Sequence, residues 1–123
     1  MQKPTRLIKY LVIILASIVS LRLIVLTEGK VTLTGILVDQ MCGAEVKDAA
    51  KAAEHTKQCS LMDHCASSGF GIFADGKYVK FDEEGSKMAK ALVEKSKKDK
   101  GFTVVAEGTL KGETLSLTNL KEK

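Results

Sequence analysis

The chain has 123 residues, 45% of them hydrophobic and 28% charged, with a formal net charge of +4. That length holds one domain. Lys3, Arg6, Lys9 and Arg22 are the only basic residues before the first acid, Glu28, so fifteen basic residues then face all fifteen acids. A folded part of zero formal charge has no general attraction for phosphate backbones, and nucleic acid is not an expected partner.

Met1 to Lys9 carries three basic residues and no acid, and Tyr10 to Leu26 is an apolar run with Arg22 its only charge. A basic stretch before an apolar run marks a secretory signal or a membrane anchor. Ala16, Ser17 and Ser20 are spaced wrongly for a small-x-small cleavage site, and the apolar sequence continues beyond them. The expectation is an uncleaved anchor over residues 10–26, with a cleaved signal as the alternative. The run is near the short limit for a span, with Arg22 snorkelling at its far end. Positive residues stay inside. The N-terminus is thus expected in the cytoplasm, in a single-pass membrane protein with a periplasmic or extracellular domain. The chain divides into 1–27, the signal or anchor, and 28–123, the exported domain.

Val31 to Asp39 alternates as a strand, with Val31, Leu33 and Leu37 on one face and Thr32 and Thr34 on the other. Gly35 at its centre predicts a bend of the kind found in small barrels. Glu45 to Lys57 is a helix by propensity, carried by Ala49, Ala50, Ala52 and Ala53. Ser67, Ser68 and Gly69 end the segment that follows. Asp75-Gly76, between two β-prone runs, signals a hairpin spanning Phe70 to Phe81. Gly85 to Lys98 reads as a second helix, with Met88, Ala91 and Leu92 on its apolar stripe and Gly101 at its end. Phe102 to Leu110 and Glu113 to Leu120 form a second hairpin about Lys111-Gly112.

The fold class is therefore mainly β with two helices (α+β). Five strands with a helix between the third and fourth match the order of an OB-fold-like small barrel, preceded by one transmembrane helix. An α+β sheet with helices on one face is the rival. Phe70, Phe73, Tyr78, Phe81 and Phe102 are candidate core residues. Asp82, Glu83 and Glu84 suit a helix start, and Lys95, Lys97, Lys98 and Lys100 suit a helix end.

All three cysteines and both histidines lie between residues 42 and 65. On a continuous helix His55, Cys59 and Met62 share one face. Two readings of the cluster stand side by side. An exported domain is oxidised, so a disulfide with one spare thiol is expected. Cys59 and Cys65 cannot pair within an unbroken helix, so that reading needs either a break near Leu61 to Asp63 or Cys42 as a partner. Alternatively Cys42, His55, Cys59 and Cys65 form a tetrahedral set suited to zinc, or to copper as Cu(I). A reactive Cys59 activated by His55 is a third use. His64 reads as a surface residue. No C-x-x-C-H, P-loop, G-x-G-x-x-G or Ser/His/Asp set occurs. No catalytic or cofactor-binding residues are assigned, and an enzyme is less expected than a non-enzyme.

The pattern D-x-x-C-G at Asp39 to Gly43, H-x-x-x-C at His55 to Cys59, then Cys65, resembles small exported bacterial proteins of uncharacterised family. The resemblance covers Val31 to Leu120 and implies an exported bacterial barrel whose cysteine cluster belongs to the fold. The leading functional expectation is a membrane-anchored binding or assembly domain, with a membrane protein as partner, such as an accessory subunit of an electron-transfer complex. The alternatives are a metal-binding or thiol-redox protein using the cluster, and a barrel that binds oligosaccharide or peptide on exposed aromatics.

Overall fold

The computed structural model describes residues 29–123. The anchor expected over residues 10–26 lies outside them. Among the described residues no helix is long and apolar enough to cross a membrane.

Strand β1 spans Gly29–Asp39 and carries the alternation expected of it. Gly29 to Ile36 pair with one neighbour and Ile36 to Asp39 with another. Gly35 sits at that change of partner. A Cβ there would strike the Phe73 carbonyl oxygen, so only glycine lets the two backbones approach this closely. Strands β2 (Phe70–Ala74) and β3 (Lys77–Phe81) form the first hairpin. Its turn places Asp75 and Gly76 at positive φ, as a two-residue loop of this kind requires. Strands β4 (Thr103–Lys111) and β5 (Thr114–Glu122) form the second hairpin. Strand β3 runs parallel to β5 and β1 antiparallel to β4, which closes a barrel in the order β1-β2-β3-β5-β4.

The helical content differs from expectation. Among the described residues there are five helical segments where two helices were expected. They are α1 (Gln40–Gly43), α2 (Ala49–Ala53), α3 (Lys57–Ser60), α4 (Asp63–Ser67) and α5 (Glu83–Lys95). The long alanine-rich helix is interrupted by its own capping residues. Asp48 caps α2 by accepting the Lys51 N–H at 2.8 Å, and Thr56 caps α3 by accepting the Cys59 N–H at 3.1 Å. Thr56 is held extended by a bridge to Lys100, and Lys57 donates its N–H to the Asp99 carbonyl at 2.7 Å. Its ammonium also reaches the Ser96 carbonyl at 2.8 Å, at the C-terminus of α5. These long-range bonds outweigh the propensity of a thirteen-residue stretch that buries little area. The break removes the face on which His55, Cys59 and Met62 were expected to align.

Helix α5 lies between β3 and β4. Asp82 caps it through the Gly85 N–H at 2.8 Å, and Glu83 and Glu84 occupy its first turn. Phe70, Ile72, Phe81, Phe102, Val104 and Leu115 fill the core with Ala89 and Val93 of α5. A second cluster, Val38, Ala52 and Phe73, lies under α2, with Tyr78 packed against it.

Candidate metal centre

The last three residues of β1, Leu37, Val38 and Asp39, are all buried, because helical cover lies on one face and the barrel core on the other. Asp39 is a fully buried carboxylate. It survives there because its oxygens have tasks. It caps α1 by accepting the Cys42 N–H at 3.0 Å on Oδ1. Its Oδ2 stands 2.5 Å from Nε2 of His55, whose side chain is only 11% exposed. The two atoms are in short contact without meeting hydrogen-bond geometry.

Capping by Asp39 sends the chain into α1 and swings Cys42 back over the barrel end. Cys65 arrives from α4, where it is 4% exposed. Two stitches hold α1 and α4 together. Gln40 donates its N–H to the Gly69 carbonyl at 2.8 Å, and Met41 donates to Ser68 Oγ at 3.1 Å. Ser68 in turn donates to the Cys65 carbonyl at 2.6 Å. The floor is fixed by Tyr78, which donates its hydroxyl to the Val38 carbonyl at 2.9 Å. A Cβ at Gly43 would enter the Tyr78 ring, so glycine is what lets α1 lie this close.

A carboxylate oxygen of Asp39 and the Sγ atoms of Cys42 and Cys65 lie within 4.8 Å of one another. All three cysteines are free thiols. The expected disulfide is therefore absent, and the juxtaposed pair is Cys42 with Cys65. Of the four metal ligands proposed from sequence, the structure brings Cys42 and Cys65 together. His55 reaches the group through Asp39. Cys59 is exposed and outside the set. Asp39 is the donor that spacing alone did not select. Its signal was available in D-x-x-C, where an Asp three residues before an N–H is a helix cap that must place its carboxylate beside the cysteine. His64 is exposed, as expected.

Burial pushes the Cys42 thiol up to about 11, with the Asp39 carboxylate and the neighbouring Cys65 adding to the effect. Burial likewise raises the Cys65 thiol, again with Asp39 contributing. Asp39 moves the other way. Burial alone would raise it, but the His55 contact, the Cys42 N–H and the His55 charge together hold it below the ordinary carboxylate range. The Tyr78 hydroxyl is raised by burial and by Asp39. The centre is thus one anion beside two protonated thiols, which a soft or borderline cation turns into three anionic donors.

The other candidate sites fall out differently. Phe70, Phe73, Phe81 and Phe102 are buried and Tyr78 is half-buried, so the described residues offer no stacking platform of exposed aromatics. Comparison with protein-family models, with curated proteins and with solved structures gave no match.

Proposed function

We propose that this chain is an exported, membrane-tethered domain with an OB-fold-like barrel, whose role is to bind a transition metal at Asp39, Cys42 and Cys65. One observation carries the reading: three ligand-type atoms, brought from a strand end and two separate helices, lie within 4.8 Å of one another, one of them an oxygen of the fully buried Asp39 carboxylate. Zinc–sulfur bonds of about 2.3 Å at a tetrahedral angle place two thiolates roughly 3.8 Å apart, inside the span observed here. Zinc suits one oxygen and two sulfurs, and Cu(I) would use the sulfurs. His55 holds Asp39 in place from behind, as outer-shell partners of metal ligands do. The basic N-terminus and the apolar run of residues 10–26 support the tether.

The test is elemental analysis of the full-length protein, purified in mild detergent under reducing conditions, before and after titration with zinc. About one zinc per chain is expected in the parent, with marked loss of retention in Cys42→Ser and Cys65→Ser and none in Cys59→Ser. A parent protein that neither copurifies with metal nor takes up zinc or Cu(I) stoichiometrically overturns the proposal.

A further inference from the structure

A closed structural site supplies four protein ligands, whereas an open one supplies three and leaves a position for an outside molecule. Among the described residues the Asp39, Cys42 and Cys65 group has three converging donors, and His55, Tyr78 and Cys59 are otherwise placed. Nε2 of His55 faces Oδ2 of Asp39 at 2.5 Å. The Tyr78 hydroxyl donates to the Val38 carbonyl. Cys59 is exposed, outside the group.

The group is also reached from outside at one donor. Asp39 and Cys65 are buried, but Cys42 is only half-buried and lines an open cleft with Glu45, Val46, Lys47, Asp48 and Lys51. The cleft has a volume of about 370 Å³. A water molecule occupies roughly 30 Å³ of liquid, so the cleft has room for a ligand several times that size. Its two lysines and two acids give it no net sign, and Lys51 is further engaged by Glu54 at 3.8 Å. The cleft therefore does not select for charge.

Selection comes from the donors. A carboxylate and two thiolates carry three negative charges, and a divalent ion leaves one. An anionic fourth ligand would put two negative charges into a largely buried centre, which the low local dielectric penalises strongly. Even a protonated His55 brings the total only to zero with a neutral ligand. A monovalent ion leaves one more uncompensated charge than a divalent one.

Resting on the metal reading, we infer that the centre holds a divalent ion of the zinc type with its fourth position open to the Cys42 cleft, and that this position takes a small neutral donor. Water fills it at rest, and a neutral nitrogen ligand of imidazole size displaces it. The site is thus a point of attachment for an uncharged donor from a partner or small molecule, and it disfavours anions.

Cobalt(II) is the probe, because its visible bands report coordination and its thiolate charge-transfer band reports that the metal is still held. Full-length protein in detergent is loaded with cobalt and titrated separately with imidazole and azide. The expected result is a saturable shift of the visible bands with imidazole, at lower concentration than with azide, while the charge-transfer band persists. Cys59→Ser responds as the parent does. His55→Ala keeps the response but loosens cobalt retention by about 10–100-fold, as loss of an outer-shell partner does. A cobalt–thiolate spectrum indifferent to both ligands, one that prefers azide, or loss of the charge-transfer band on adding imidazole overturns the open neutral position and leaves the metal reading standing. Absence of any cobalt–thiolate absorption overturns both.

Discussion

Asp39→Ala is the sharpest probe of how the barrel end is built, because two separable costs fall on one residue. The first is the helix cap: Oδ1 accepts the Cys42 N–H at 3.0 Å, and loss of an Asp cap to alanine costs about 0.5–2 kcal/mol. The second is the half-buried His55, whose Nε2 would face the space left by the carboxylate. Leaving a buried polar group without its partner costs about 1–3 kcal/mol. Together they give a loss of about 1.5–5 kcal/mol for the metal-free protein. Asp39→Asn separates them, since its side-chain oxygen still caps α1 while the charge facing His55 is gone. Asn is expected to recover the cap's share and no more. The assay is urea denaturation of full-length protein in detergent with chelator and reductant, followed by far-ultraviolet circular dichroism. The pH dependence has a definite sign. Asp39 is held below its ordinary value in the folded state, so its contribution is fully present above the unfolded carboxylate range and is lost as pH falls through the lower folded value. The gap between parent and Asp39→Asn should therefore widen from strongly acidic pH up to about 4. A loss under about 0.5 kcal/mol for alanine, the ordinary surface range, or a gap that narrows as pH rises to about 4, would refute the reasoning.

Three further outcomes follow from other residues. Cys59→Ser should change stability by no more than about 0.5 kcal/mol, because Cys59 is exposed and makes no cross-link; urea melts under reducing and non-reducing conditions check it. Ser60→Ala should stabilise the domain by about 1 kcal/mol, because the Ser60 hydroxyl is buried without a hydrogen-bond partner and its removal relieves that penalty; a loss of stability on melting would show a partner for the hydroxyl. Gly43→Ala should cost about 1–3 kcal/mol through overpacking, since its Cβ meets the Tyr78 ring, and the double variant with Tyr78→Ala should recover part of that loss in a thermodynamic cycle.

Where the sequence was legible, the signals were local. Alternation marked β1, Asp75-Gly76 marked the first hairpin, and Asp82 with Glu83 and Glu84 marked the start of α5. The lysine at the end of α5 and the buried phenylalanines followed the same kind of rule. The stretch from Glu45 to Lys57 was misread because its decisive interactions are distant. Nothing within it announces that Thr56 will pair with Lys100, or that the Lys57 ammonium will satisfy the Glu94 and Ser96 carbonyls. Helix propensity there competed with a tertiary arrangement and lost. The candidate site divides along the same line. The clustering of thiols was visible, but which two meet depends on the break after Leu61 and on the α1–α4 stitches through Gln40, Met41 and Ser68.

The break before Thr56 explains why the donor group contains Asp39 and not Cys59. In one continuous helix, His55 and Cys59 would point together, and the aspartate at the end of β1 would be a bystander. With the helix restarted at Thr56, Cys59 is left exposed. His55 lies before that restart and contacts the barrel end at Asp39. One carboxylate then serves three neighbours at once: it caps α1, engages His55, and disfavours ionisation of both thiols. That last effect fits the proposed metal role better than a nucleophilic one. A buried carboxylate that keeps adjacent thiols protonated is of no use to a thiolate nucleophile, which needs its pKa lowered. The same three groups become mutually compatible once a divalent ion replaces the two thiol protons, because its positive charge offsets the negative charges that the donors cannot hold side by side unaided.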